Sequence, residues 1–590
     1  MTHGEIRQKF LEYFKRNGHV VVPSSSLVPS DLSVLLTTAG MQQFKPYYTG
    51  EADAQKDFGA PSVASIQKCF RTSDIDEVGD ETHLTFFEMA GNFSFGYKPY
   101  EPRSSKGGYF KDEAIKLAHG FLTQELGLAI SYVTVFEGSS SVPKDTESRK
   151  IWNELGISDV REEGMDSVFW GPTGSSGPCG PTTEIYCQNA SLQDVEVWNI
   201  VFNEYFCAGS REELATGKAE LKPLTPKGID TGMGLERLAM IAQKTKNIFE
   251  TDLFAPLFAK LPTEIDEKIK RIIVDHTRAS VFLICDGVRP ANKGTGYILR
   301  RLLRRVIFYQ QMAYKKNIKI DLFDIVEIIV GEYGQVYDNL DIKIAEEVLM
   351  DEAQKFTKTI DRGARELEKL TAVDAAAAFK LFETFGLPYE IIKEIGGARA
   401  EKLTRADFDA EFAKHQAISR AGAEKKFGGH GLILDTGELK ASTPEEVTRA
   451  TKLHTATHLL QAALRKVLGP EIHQLGSDIT FARLRFDFNF SRKLTDEEAR
   501  LTEEFINSVI ARDLSVTMKE EDYDTAVKEG ALAFFRAKYP ARVKVYRIGD
   551  VSMELCGGPH VARTGEIGKF KIIKDEAVAS GIRRIRATIK

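Results

Sequence analysis

Four residues in the C-terminal third have the types and spacing of a metal site: His454 and His458 in His-Thr-Ala-Thr-His, and Cys556 and His560 in Cys-Gly-Gly-Pro-His. On a helix, a spacing of four puts both imidazoles on one face, one turn apart. A turn bearing a thiolate and a third imidazole would complete a tetrahedral set that suits zinc. The two halves stand roughly a hundred residues apart, so only the fold can close the site. A single His-x-x-x-His is more often an ordinary helix; the Cys-x-x-x-His partner tips the reading to zinc.

A second chemistry is suggested in the N-terminal half, by a constellation and not by one motif. Ser65-Ile-Gln-Lys-Cys-Phe-Arg-Thr72 is a β-like run ending in Arg71. After an acidic loop comes Thr82–Gly96, with His83, Glu88 and Met89, and later Gly232-Met-Gly-Leu-Glu-Arg-Leu238, where two glycines open a helix bearing Arg237. No Walker A sequence occurs, so a nucleotide bound here would not sit in a P-loop. One arginine near glycines is by itself more often structural than catalytic.

The elements that must position these groups fall into three regions. Residues 1 to roughly 260 mix helices with short β-rich runs and Gly/Pro turns, which predicts an antiparallel α+β domain. From 262 to about 420 the pattern is almost wholly amphipathic helix. A glycine-rich stretch near 426–437 marks a boundary, and the last region opens with the His-x-x-x-His helix and ends in strand-like runs. At 590 residues the chain is too long for one core. No apolar run approaches the ~18 residues of a membrane helix, and the first ten residues lack a signal-peptide core, so a cytoplasmic protein is expected. Six cysteines without a tight framework agree with a reducing compartment.

A net charge of −6 argues against polyanion binding by the whole surface, but a local groove is legible. Between Gly287 and Ile320 there are nine Lys or Arg and no Asp or Glu. The helical period sends Arg300, Arg301, Arg304 and Arg305 to one side and Leu299, Leu302, Leu303, Val306 and Ile307 to the other, predicting a helix that is apolar inside and cationic outside. Such a face is either merely solvated or a surface for phosphate backbone.

The order and wording of the motifs resemble the alanyl-tRNA synthetase family of class II ligases. Pro23–Pro29 with Thr38–Pro46 is similar to its first motif, Arg71–Gly96 to its second and Asp230-Thr-Gly-Met-Gly-Leu-Glu-Arg237 to its third. Gly177-Pro-Cys-Gly-Pro181 with Glu184, Trp198–Phe202, Asp275-His-Thr-Arg278, Gly296–Arg301 and the metal-type motifs continue the match along nearly the whole chain.

The resemblance implies an α+β protein: a class II antiparallel-sheet catalytic domain over 1–261, a helical tRNA acceptor-stem recognition domain over 262–425, a linker at 426–445 and an α+β zinc-containing editing domain over 446–590. It implies ligation of L-alanine to tRNA(Ala) through alanyl-adenylate, with Mg²⁺ accompanying ATP. Arg71 would hold the α-phosphate and the alanine carboxylate, and Arg237 the adenine and terminal phosphates, as the two catalytic residues. His83, Glu88, Met89 and Gly234 would join them around ATP, and Trp170, Asn199, Asp230 and Gly232 would line the alanine pocket, with Asp230 facing the ammonium. Asn292, with Glu383 where the family usually has Asp, would read G3:U70 in the acceptor stem, and Arg300, Arg301, Arg304 and Arg305 would meet its backbone.

An apolar pocket separates alanine from glycine or serine by only about 1–3 kcal/mol, so hydrolysis of Ser-tRNA(Ala) and Gly-tRNA(Ala) is implied for the last region. Gln474 would belong to that pocket and zinc to His454, His458, Cys556 and His560. Four protein ligands leave no open position, which points to a metal that organises the tRNA end. Pro559 stands where the family commonly has Thr, and residues Tyr97–Gly108 interrupt the second motif. The family's β-barrel insertion and C-terminal extension have no counterpart, from which a monomer is expected. A different reading is a tRNA-binding, metal-dependent trans-editing deacylase with an inactive ligase half.

Overall fold

The computed structural model describes every residue except 30, 32, 99–106, 415–443, 481, 491, 533–541, 580 and 581, and leaves aside the side chains of 444, 524 and 577–579. Residues 426–443 of the expected 426–445 linker and most of the Tyr97–Gly108 interruption therefore lie outside the described residues, and the linker's last two residues already begin a helix. The chain forms two compact units, Met1–Phe408 and Asp409–Lys590.

The first unit is built on a nine-stranded sheet in the order β1-β2-β3-β9-β8-β7-β4-β5, with β6 paired to β7. The strands are β1 Val20–Val21, β2 Ser62–Phe70, β3 Phe86–Tyr97, β4 Tyr132–Phe136, β5 Val160–Glu163, β6 Phe169–Trp170, β7 Gly177–Gln188, β8 Asp194–Cys207 and β9 Leu221–Gly234. Every pair from β2 across to β4 is antiparallel; only the outer pairs β1/β2 and β4/β5 are parallel. The expected antiparallel catalytic sheet is thus observed.

One face of this sheet is closed by α1, His3–Arg16. Thr2 and Glu5 form a capping box that fixes where the helix begins. Ile6, Phe10 and Phe14 then recur at helical spacing and are fully buried. Phe10 and Phe14 meet Trp198 of β8 at ring-centroid distances of 6.1 and 6.2 Å. Truncating Phe14 to Ala would cost about 3–5 kcal/mol.

Seven further helices of the first unit matter here: α2 Leu235–Gln243, α3 Glu267–Cys285, α4 Gly294–Lys315, α5 Leu322–Tyr333, α6 Ile342–Glu368, α7 Ala375–Phe385 and α8 Tyr389–Gly396. Asp266, Asp321, Asp341 and Asp374 each accept a backbone N–H at the start of α3, α5, α6 and α7, so one device sets four helix entries.

In the second unit, α9 Pro444–Leu468 and α10 Asp496–Ala511 accompany two sheets. The four-stranded one runs β10-β11-β16-β15 (Gln474–Ile479, Leu484–Asn489, Ile582–Ile589, Phe570–Ala579), the three-stranded one β12-β13-β14 (Val516–Asp522, Arg542–Ile548, Ser552–Leu555). Leu453, Leu460 and Leu464 of α9 share a core with Phe486, Phe488 and Ile585. Alternation along β11 sends Leu484, Phe486 and Phe488 inward, as period-two patterning requires.

Candidate active site and metal centre

Residues paired across antiparallel strands point to the same face. Glu184 of β7 opposes Asn199 of β8, Asn199 opposes Gly232 of β9, Val201 opposes Asp230, and Gly234 opposes Met89 of β3. Trp198, one residue from Asn199, meets α1. Glu184, Asn199, Asp230, Gly232, Gly234, Phe87 and Met89 therefore share the face turned away from α1. On this face an open cleft is walled by Arg71, His83, Phe87, Met89, Gly232, Gly234 and Arg237, among others. A Cβ on Gly232 would come within 2.9 Å of Met89 Sδ, so glycine keeps the floor open.

Arg71 continues the line of β2, and its backbone N–H bonds Thr85 O at 3.0 Å. Its guanidinium lies 4.9 Å from the centre of the Phe87 ring, and no carboxylate among the described residues pairs with it. Arg237, in the first turn of α2, donates to Glu196 Oε2 and O, both at 3.2 Å. Two guanidiniums, one of them unneutralised, make the cleft a site for a phosphate-bearing ligand. His83 hydrogen-bonds Asp80 in the acidic loop before β3.

Asp230 is 5% exposed, and burial alone pushes its carboxyl up to about 7. None of the described residues supplies it with a cation. Glu184 accepts from Asn199 Nδ2 and from the Tyr186 hydroxyl, both at 2.8 Å. Burial, followed by the charge of Glu196, raises Glu184 to about 7. Trp170 is half-buried beneath Arg211, whose guanidinium lies 4.9 Å from the ring centre; it is not on the cleft wall.

Two expectations are corrected. Glu88 does not face the cleft. Alternation along β3 turns it to the far side from Phe87 and Met89, where it is fully buried against Arg7 and Tyr337. Burial works most strongly against its charge, but Arg7, the Tyr337 hydroxyl and Arg278 together outweigh it and hold the carboxyl below its ordinary range.

The second correction concerns α4, whose arginines do not form an outer cationic face. Arg301 and Arg305 are buried. Arg301 pairs with Glu390 and, at 2.6 Å, with Asp76. Arg305 donates to Ile75 O at 2.8 Å, and Arg304 to Glu352 at 2.7 Å and Gly386 O at 2.9 Å. Arg300 bonds Asn292 and Pro290 O. The run thus pins α4 to the loop after β2 and to its neighbouring helices. Asn292 and Glu383 are both exposed. The Tyr297 and Phe382 rings, 5.8 Å apart edge to face, bring the start of α4 beside the α7 segment that carries Glu383.

The four metal-type residues do come together. His454 and His458 on α9 and Cys556 and His560 after β14 place one ligand atom each within 4.8 Å of one another. Cys556 Sγ is 3.3 Å from His454 Nε2, and the His560 ring stacks on His454 at 4.3 Å. Two imidazoles are oriented by hydrogen bonds at Nδ1, His454 by Pro559 O at 3.0 Å and His560 by Thr455 Oγ1 at 3.1 Å, while the Glu554 carboxylate lies 3.2 Å from His458 Nδ1 without hydrogen-bond geometry. That is the outer shell a metal-binding histidine needs to present Nε2, and the donor set fits a borderline-soft divalent ion such as zinc. Burial lowers the pKa of His454, favouring the neutral ligand form. Gln474, at the start of β10, is buried and donates to Ser477 Oγ at 2.9 Å.

Sequence reasoning passed over Phe87 and Glu196 on the cleft wall and Glu554 behind His458. Phe87 was recoverable, because period-two alternation around Met89 selects it; Glu196 and Glu554 come from segments with no local signal.

Two families of known proteins match the chain, the first running past the unit boundary and through the His454–His458 helix. Residues 5–467 match the family described as tRNA synthetases class II (A), and residues 543–586 match the threonyl and alanyl tRNA synthetase second additional domain. The alanine–tRNA ligase of Borrelia hermsii (strain HS1 / DAH) is 40% identical over 628 residues, covering 100% of both chains. That of Treponema pallidum (strain Nichols) is 38% identical, covering 99% of this chain and 98% of the relative. That of Dehalococcoides mccartyi is 34% identical and extends further, with 79% of its length covered. With a class II match over most of its length and relatives this similar from end to end, the chain belongs to the alanyl-tRNA synthetase family.

Proposed function

We propose that this protein joins L-alanine to tRNA(Ala) through alanyl-adenylate, and hydrolyses Ser-tRNA(Ala) and Gly-tRNA(Ala) in its second unit. The observation that supports the reading is the shared face of the sheet: Arg71 and Arg237 wall one cleft with Gly232 and Gly234, and Asp230 stands on the same face of β9, two residues before Gly232. In activation, an alanine carboxylate oxygen forms a bond to the α-phosphorus of ATP while the bond to pyrophosphate breaks. The reaction needs charge placement more than proton transfer.

Arg71, held over Phe87 without a competing carboxylate, takes the α-phosphate and the amino-acid carboxylate. Arg237 exchanges its half-exposed pairing with Glu196 for the triphosphate, which Mg²⁺ accompanies as ATP's own counter-ion. Asp230 receives the α-ammonium, and Asn199, fixed by Glu184, borders the methyl pocket with Gly232. The 3′-terminal hydroxyl of the tRNA then attacks the alanyl carbonyl and AMP leaves. Asn292 and Glu383 present a polar edge for the G3:U70 pair in the shallow minor groove.

In the second unit His454, His458, Cys556 and His560 would hold zinc. Four protein donors fill its tetrahedron, so the ion's contribution is to lock α9 to the Cys556–His560 turn and shape the pocket that includes Gln474. We assign residues 1–261, 262–425 and 446–590 to activation, acceptor-stem recognition and editing. Among the described residues no helix is long and apolar enough to cross a membrane, and six free cysteines suit the cytoplasm.

The test is alanine-dependent exchange of pyrophosphate into ATP, with Arg71→Ala beside the wild type, followed by deacylation of Ser-tRNA(Ala). Exchange that collapses in the variant is expected. Absence of exchange from folded protein with Mg²⁺ would sink the ligase reading and leave a deacylase.

A further inference from the structure

Under the cleft, and reaching its wall at Glu236, lies a chain of buried charges to which the activation chemistry above gives no role. Tyr337, in the turn between α5 and α6, donates its hydroxyl to Glu88 of β3, and Arg7 of α1 pairs with the other oxygen of the same carboxylate. The Tyr337 ring is boxed in by Phe282 at 5.4 Å and by the Lys68 ammonium at 5.2 Å. The Glu88 backbone N–H donates to the Glu236 carboxylate at 3.2 Å, and Glu236 pairs with Arg278 of α3, which also donates to Phe86 O at 3.1 Å. All four of Glu88, Glu236, Arg278 and Tyr337 are buried.

The sequence neighbours of these carboxylates are cleft residues. Phe87 and Met89 flank Glu88, and Arg237 follows Glu236. We propose that Tyr337 and Arg278 act through Glu88 and Glu236 as positioning residues for the ATP half of the cleft. They fix the level of β3, on which the Phe87 ring carries Arg71, and the first turn of α2, which carries Arg237. The alanine half lies on β7, β8 and the middle of β9, outside this chain of contacts. The network therefore governs ATP and not alanine. The inference rests on the ligase reading only in naming the nucleotide's reaction.

The test compares Tyr337→Phe with Tyr333→Phe in the full chain. Tyr333 is a buried phenol close by that packs under Arg278 but whose hydroxyl has no hydrogen-bond partner, so its loss removes the same atom and keeps the ring without breaking a hydrogen bond to either carboxylate. In Tyr337→Phe the KM for ATP in pyrophosphate exchange should rise about tenfold, with kcat and the KM for alanine within twofold of wild type. Tyr333→Phe should match wild type in all three. A merely structural role would lower the active fraction, and hence kcat, at unchanged KM, and that result overturns the proposal. Calorimetric titration of Mg-ATP is read in parallel. Should wild type show no exchange, the ligase reading fails, yet a tenfold weaker Kd for Mg-ATP in Tyr337→Phe alone would still uphold the network. Equal Kd values in all three proteins would refute it.

Discussion

Asp230 gives the sharpest quantitative handle on the activation site. Its carboxyl is raised from 3.8 to about 7 by burial alone, which means that charging it in the empty cleft costs roughly 4 kcal/mol more than in water. The α-ammonium of alanine is the partner that would offset this cost, so alanine should bind the ionised form. With a pKa of about 7, the ionised fraction falls from roughly nine-tenths at pH 8 to one-tenth at pH 6. The KM for alanine should then rise about tenfold over that interval at saturating ATP.

The sign for stability runs the other way. A carboxyl whose folded pKa is raised leaves the unliganded fold most stable below about 4, and that stability is lost as pH climbs through 7. The groups that act electrostatically with Asp230 are Tyr48 and Cys69, whose own pKa values lie far above this range. Glu184 also sits near 7 on the same face, so Glu184→Gln is the control: the inflection should persist in it and vanish in Asp230→Asn. The assay is pyrophosphate exchange from pH 5.5 to 8.5. A KM for alanine that is flat between pH 6 and 8, or an Asp230→Asn variant with wild-type alanine affinity, refutes the assignment.

If the four-residue cluster holds the proposed zinc, chelation or Cys556→Ser should abolish deacylation of Ser-tRNA(Ala) and leave alanine-dependent exchange intact; elemental analysis showing no metal in active wild type would contradict this. Arg301→Ala deprives the buried Glu390, and Asp76 beside it, of a shared cation, leaving Arg405 as the ion-pair partner of both. Denaturant unfolding of the first unit should show a loss of about 3–5 kcal/mol, and a loss below 1 would mean that Arg405 suffices. Asn292→Ala should lower kcat/KM for charging tRNA(Ala) about tenfold while exchange, which needs no tRNA, stays at the wild-type rate; equal charging rates would remove Asn292 from recognition.

The metal cluster was legible because each half is a local motif: spacing on one helix and spacing on one turn fix two donors apiece, and only their meeting had to come from the fold. The antiparallel sheet was legible for a similar reason, since its strands are long and bounded by glycine and proline. Glu88 shows where adjacency misleads. It stands beside Met89 in the chain, but in a strand neighbours point apart, so the residue next to a cleft residue is the one most firmly excluded from the cleft.

The arginines of α4 failed as a prediction for a different reason. A helical wheel sorts residues by angle and assumes that charge means water. Here the charged arc meets protein on several sides, and the carboxylates that satisfy it, Asp76, Glu352 and Glu390, come from segments far away in sequence. A buried arginine in a pair with a buried carboxylate cannot also hold a phosphate without leaving that carboxylate unpaired, at a cost of several kcal/mol. Arg301 is therefore committed to joining the helices to the loop after β2, and Arg305, buried with Ile75 O and His276 as its partners, joins the same loop without a carboxylate among the described residues. Phosphates of an acceptor stem at this edge would have to be met by the exposed Lys293, Lys316 and Lys319 at the two ends of α4. The middle of the helix sets the geometry and its ends carry the available charge.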